Sequence, residues 1–315
     1  MLNVPWNLLK IIIFAFKHGN TSKKKVRSHY NTFPFLLFFA FLLYSCERNI
    51  TVDIPDSEEK LVVEGAIEQE EYPMVFLTKN LPYFGVVDSA AIIHLIVQEA
   101  VVIVSDGITT DTLQKTFDFN YFPPIYFKGT KIKGEAGKTY FLTVIAEGKT
   151  YTAETAILSP PIGIDSLWFE TDKEQDSLGY LWAIYNDPPE PGNYYRLYAK
   201  RLKKDNIFIP VLGSIYNDKF FNGQEFTFSM IRGVSNINST EKDPEYGYFK
   251  IGDTIISKFT SIDKASYDFW RSAEGEMYSN GNPFLSPSQI VTNIKGGALG
   301  VWTGYGVFTD TVICK

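Results

Sequence analysis

Two cysteines and three histidines among 315 residues leave few side chains for thiol or metal chemistry. His18, His29 and Cys46 fall in or directly after a leader, so the rest of the chain holds only His94 and Cys314. A disulfide framework needs pairs of cysteines, and zinc sites of the usual kind need Cys and His in clusters. Both are excluded. A Ser-His-Asp or Cys-His arrangement would have to be built on His94, which sits in the apolar stretch "AAIIHLIVQ" without a G-x-S-x-G elbow. His94 is therefore expected as a core or strand-face residue and Cys314 as a strand-end or tail residue. No catalytic residue, metal or cofactor is assigned, and the protein is expected not to be an enzyme. Paired carboxylates acting on a glycan stay open as an alternative, because sequence spacing says little about separation in space.

Negative charge is missing from the first 45 residues and positive charge is scarce after them. The leader carries six basic and no acidic residues, so Cys46 to Lys315 hold 24 basic against 36 acidic side chains, a formal charge of −12. Phosphate backbones and anionic lipid surfaces both demand basic footprints, which argues against a nucleic-acid partner and against a polybasic membrane patch. Hydrophobic residues at 45% and aromatics at 16% are too many for a disordered chain.

The leader is the most informative stretch. "FPFLLFFAFLLYSCERN" gives ten apolar residues, Phe35 to Tyr44, behind Lys23, Lys24, Lys25 and Arg27. A spanning helix needs about 20 apolar residues, whereas a secretory signal needs a basic region, a short apolar region and a small residue at the cut. Cys46 follows Ser45 directly, the arrangement that bacterial lipoprotein processing requires. The sulfur would take a diacylglyceryl group and the new amine a third chain such as palmitate, with each buried methylene contributing about 0.8 kcal/mol of membrane affinity. The competing reading is an uncleaved anchor with Cys46 buried. A second apolar run, Leu8 to Phe16, is one more than a signal peptide needs and points to translation starting nearer Val26.

Residues 46–59 read as an acidic, lipidated tether. Beyond them come short segments rich in β-branched and aromatic residues, set apart by Gly, Pro, Asn and Asp. "KLVVEGAI", "MVFLTK", "AVVIVSDG" and "TYFLTVIAEGKTYTAETAIL", the last with a turn at Glu147-Gly148-Lys149, predict an immunoglobulin-like β-sandwich over residues 60–158. "SPPIG" at 159–163 is a stiff break. Residues 164–315 predict a second β-rich domain, with strands in "DSLWFET", "GYLWAIYND", "NYYRLYAKRL", "IFIPVLGSIYN", "EFTFSMIRG" and "DTIISKFTSI". Asn222-Gly223 suggests a type I′ hairpin. One helix is expected near 262–277, with Ile262, Ala265, Phe269, Trp270, Ala273 and Met277 on its inner face and Thr260 and Asp263 as a capping box. Two closing strands around a glycine-rich bend complete a mainly β fold of two sandwich-like domains.

Weaker motifs resolve into ordinary structure. "DKEQDSLG" has acids at Asp172, Glu174 and Asp176 but Ser177 and Ala183 where a calcium loop needs Gly and Glu. Gly296, Gly297 and Gly300 fit neither a dinucleotide fingerprint nor a P-loop and suggest a bulge or tight strand crossing. Tyr194, Tyr195 and Arg196 beside "YNDPPEPGN" offer a sugar-stacking patch, but strand alternation divides them between core and surface.

Taken together, Cys46 with its acidic tether, "KLVVEGAI", "PPIGIDSL", "YNDPPEPGNYYRLY", "NDKFFNGQEF", "GNPF" and "TNIKGGALGVWTGY" resemble a lipoprotein family of Bacteroidota known as domain of unknown function 4249. The resemblance covers nearly all of the chain after the leader and rests on turn and strand elements without a catalytic signature. It implies an accessory role at the outer membrane beside TonB-dependent transporters, in which the protein binds a nutrient or docks on the transporter. The glycan hydrolase and a structural or adhesive surface lipoprotein are the alternatives.

Overall fold

The computed structural model describes residues 58–80, 93–161, 164–233, 244–279 and 289–315. The expected signal peptide, Cys46, most of the tether and "GNPF" lie outside these residues. Within them the fold is mainly β and sandwich-like, and residues 56–315 form one compact unit.

Period-two alternation builds the central layer. An eight-stranded sheet runs in the order β12 (Ile209–Asn217), β11 (Tyr194–Arg201), β15 (Thr254–Ser261), β16 (Leu299–Ile313), β1 (Leu61–Glu68), β2 (Met74–Lys79), β6 (Ile125–Lys128), β5 (Gln114–Phe117). One half of one face is covered by the sheet β4 (Thr110–Thr112), β3 (Ala100–Ser105), β7 (Thr139–Ala146), β8 (Lys149–Ala156). The other half is covered by β13 (Glu225–Met230), β10 (Leu178–Asn186) and β14 (Phe249–Lys250), with β9 (Ile164–Thr171) paired on β10. Three apolar cores result, the smallest of them Tyr198, Ile215, Ile262 and Tyr305 on the opposite face of the central sheet, with Tyr267 and Trp270 packed on it. Val63, Ile67, Leu77, Tyr140 and Trp302 belong to the first, and Leu181, Leu197, Met230, Ile255 and Phe259 to the second.

The last strand joins what the sequence separates. β16 pairs parallel with β1 over Val62–Leu299 to Glu68–Tyr305 and antiparallel with β15 over Ser261–Gly306 to Thr254–Ile313. Trp302 thus enters the first core while Phe308 and Val312 pack on the second. Between them the chain leaving β8 crosses the strand. A Cβ on Gly304 would collide with the Ala156 carbonyl, and one on Gly306 with that of Leu158.

The turn after β7 matches expectation. Glu147 and Gly148 both have positive φ, 52° and 74°, and connect paired Ala146 and Lys149 as a type I′ hairpin. Asn222-Gly223 does not. Only Gly223 has positive φ, and Asp218 to Gln224 all lie between β12 and β13, too many for a two-residue hairpin. The glycine-rich segment is likewise not flanked by two strands. Gly296 and Gly297 bend the chain ahead of a single 15-residue strand. Gly300, at φ +111°, lets the Val63 carbonyl approach where no side chain would fit.

The helix, α1 (Lys264–Ser279), is present with the expected inner face in part: Ile262 just ahead of it is fully buried and Trp270 packs on the same cluster. Ala265 and Met277 are exposed, whereas Ser266 and Glu274 are buried. Its cap is Asp263 itself, whose Oδ1 accepts the Ser266 N–H at 2.8 Å, while Thr260 lies in β15 and donates to the Arg196 carbonyl. The polar inner face follows from what α1 covers: the charged side of the eight-stranded sheet.

Candidate functional site

Strand alternation sends Val63, Gly65 and Ile67 of β1 into the first core and Glu64, Ala66 and Glu68 to the other face. By register Glu64 lies beside Val301, Ala66 beside Thr303 and Glu68 beside Tyr305. Further along the same face come Lys258 of β15 and then Arg196 and Tyr198 of β11. An ordinary outer face would leave these charges in open water. Here the sheet curls. The loop after β5 meets the turn after β11 across that face, Asn206 Nδ2 donating to Asn120 Oδ1 at 2.8 Å. The two ends of an eight-stranded sheet can touch only if it rolls up, so the charged face becomes its concave inner side, a lumen that α1 and the apolar cluster of Tyr198, Ile215, Ile262 and Tyr305 partly fill.

Arg196 is the best-positioned group in it. The residue is only 5% exposed, and its guanidinium carbon lies 3.3 Å from the centroid of the Trp270 ring of α1. Nη1 donates to the Tyr305 hydroxyl at 3.1 Å and Nε to Ser214 Oγ at 3.4 Å, and Ser214 in turn donates to the Glu274 carboxylate. Ser214 is available because β12 bulges. Its register against β11 jumps between Arg196 and Tyr198, and Gly213 takes φ +67°. Bulges commonly re-aim side chains in this way.

Lys258 shows how the same face treats a charge that is fully accommodated. Its Nζ lies 2.7 Å from Glu68 Oε1 and 4.5 Å from the centroids of both Tyr198 and Phe208. Opposite stands an aromatic wall of Phe76, Tyr121 and Tyr126, with ring centroids 5.1 to 5.7 Å apart. Glu64 occupies the ground between. Its side chain is accessible to solvent yet encircled by protein, as befits a residue inside a concavity. Burial pushes its carboxyl above the ordinary value, and the Arg196 charge pulls it partly back.

The residues singled out from sequence are scattered rather than gathered here. Tyr195 turns into the second core and donates to Asp187 at 2.7 Å, and Tyr194 packs on Tyr267 of α1 at 4.7 Å. Only Arg196 of that trio reaches the lumen. His94 is exposed in a helical turn, not in a core or on a strand face as expected: its segment turns outward there. Cys314 is buried against the second core, and burial pushes its thiol up to about 12. The acids of "DKEQDSLG" close the β9–β10 turn, Asp172 capping the Glu174 N–H. Glu64 gave no signal beyond alternation in "VVEGAI"; only the curl of the sheet distinguishes it from a solvated carboxylate.

A second recess, an open depression of about 660 Å³ beside the start of α1, is lined by Glu154, Asp263, Lys264, Asn293 and Lys295 among others. Two of its polar groups already serve the fold. Asp263 holds Ser266 and Thr155, and Asn293 exchanges hydrogen bonds with the Trp302 backbone. No helix among the described residues is long and apolar enough to cross a membrane.

No curated protein matches the chain. A family model described as Domain of unknown function (DUF4249) matches residues 47–311, and the chain belongs to that family.

Proposed function

We propose that the protein is a lipid-anchored, non-enzymatic accessory protein of the outer membrane, held there through Cys46, that binds a nutrient in the lumen of its curled sheet. The observation that carries this reading is the lumen itself. Ligand sites are concave, walled by apolar and aromatic groups, and furnished with a few oriented polar ones. Phe76, Tyr121 and Tyr126 form such a wall, with Glu64 and Arg196 as the polar groups. The leader and Cys46 support the anchor.

Docking on a TonB-dependent transporter is the companion reading, favoured by the rim. Phe117, Phe119 and Phe122 are 56%, 74% and 60% exposed around the β5–β6 loop, at one lip of the lumen. Clustered exposed aromatics mark surfaces that meet a partner. Two measurements test the proposal. Labelled palmitate should enter the wild-type chain and not Cys46→Ser, and the variant should leave the membrane fraction. From detergent-solubilised membranes the wild type should bring down a TonB-dependent barrel. A Cys46→Ser protein that stays in the membrane fraction rejects the anchor, and repeated recovery of the protein alone rejects the docking.

A further inference from the structure

Two opposite charges in the lumen, Arg196 and Glu64, feel each other's field, yet neither forms a contact ion pair with a described residue. Arg196 offers five N–H donors in a planar fork. Ser214 and Tyr305 take one each, both through neutral oxygens. Nη2 has no described acceptor, and Arg196 as a whole keeps only 5% of its surface accessible. Glu64 makes no hydrogen bond to a described residue while its side chain stays accessible. Nearby, the Lys258–Glu68 pair at 2.7 Å shows that this face can neutralise its charges internally. Burying an unpaired guanidinium is costly, and the cost is recovered when an anion meets the free edge of the fork.

Resting on the nutrient-binding reading above, we infer that the lumen takes a small zwitterion, a free amino acid or short peptide. Its carboxylate meets Nη2 of Arg196, its ammonium group faces Glu64, and its apolar body lies on the wall of Phe76, Tyr121 and Tyr126. A plain anion would set like charge against Glu64, and a plain cation would leave Arg196 unpaired. A ligand carrying both charges serves both groups. Trp270, stacked on the guanidinium, and the Glu274–Ser214 relay fix the fork before a ligand arrives.

Calorimetric titration of the full chain in detergent tests this, using free amino acids and dipeptides with their N-acetylated and C-amidated forms. At least one free zwitterion should bind, and blocking either end should weaken it about tenfold or more, the weight of a charge-assisted hydrogen bond. Glu64→Gln should abolish the preference for a free amine and keep the preference for a free carboxylate. Arg196→Lys, which loses the fork, should weaken every carboxylate ligand. Should Arg196→Lys fail to fold, Glu64→Gln changes an accessible side chain and decides the matter alone. Binding by no member of the panel, equal binding of blocked and free forms, or intact amine preference in Glu64→Gln overturns the inference. Transporter recovery from the same membranes separates the two levels. A barrel recovered without zwitterion binding rejects this ligand class and leaves the accessory role standing, and loss of both rejects both.

Discussion

The two faces of β16 make opposite uses of the same buried strand. On one, Trp302, Phe308 and Val312 fill apolar cores, and glycines stand wherever another backbone crosses. On the other, Thr303 and Tyr305 are just as buried, but they face a guanidinium, a helix with a polar underside and an ion pair. Residues 301 to 306 are all buried whichever way they point. The first face is organised by apolar area alone, the second by a smaller apolar cluster around Tyr198 and Tyr305 together with matched donors and acceptors. A surface of the second kind is more expensive to maintain and easier to leave incomplete, which is why the unpaired groups collect there.

Neighbouring residues expose the difference most sharply. Trp302 is fully buried, its Nε1 donating to the Tyr140 carbonyl at 3.0 Å, and its ring fills the space that the missing side chain of Gly65 leaves. Trp302→Ala should cost about 3–5 kcal/mol, read as a lowered denaturant midpoint, since a cavity and a lost hydrogen bond add. A loss under about 1 kcal/mol would mean that the first core does not hold the central sheet. Thr303, one residue on and equally buried, has an Oγ1 with no partner among the described residues. Thr303→Val keeps the shape and removes the orphan hydroxyl, so it should be neutral or stabilising by about 1 kcal/mol. Destabilisation by more than that would show that the hydroxyl is satisfied and that the lumen face is as complete as the core.

Much of the first face is legible in the sequence and little of the second. Alternation in "LVVEGAI" and "GYLWAIYND" finds β1 and β10 and says which residues turn inward, because burial on one side imposes a period of two. Glu147-Gly148 finds its hairpin because positive φ at both centres is a local demand. Three strands, β4 to β6, are only three or four residues long and carry too little periodicity to read. The parallel β1–β16 pair joins opposite ends of the folded unit, and alternation names a strand's inner side without naming its partner. For α1, apolar spacing points to Ala265 and Met277, whereas the helix buries Ser266 and Glu274, because the sheet beneath it is charged there. Glu64 reads as a solvated residue until the ends of the sheet meet through Asn120 and Asn206.

The smallest expected effect is the most diagnostic of the lumen. Burial raises the Glu64 carboxyl from its ordinary 4.5, so the folded chain holds that proton more tightly than the unfolded chain does. Stability contributed by the group is therefore present below about 4.5 and is lost as pH rises through the raised value. Glu64→Gln carries no such proton. At pH 7 it should melt slightly above the wild type, and the gap should close as pH falls toward 4.5. The charge that acts on the group is Arg196 from β11, which keeps the gap small by opposing the burial, while Lys258 and Glu68 pair with each other and Glu274 accepts from Ser214. Because the side chain is accessible, solvent screening limits it further. A variant that melts below the wild type, or a gap indifferent to pH, would place Glu64 on an ordinary wet surface. If instead the gap has the expected sign and vanishes on adding a free amino acid or dipeptide, the carboxylate has acquired in the ligand a closer positive partner than Arg196 provides.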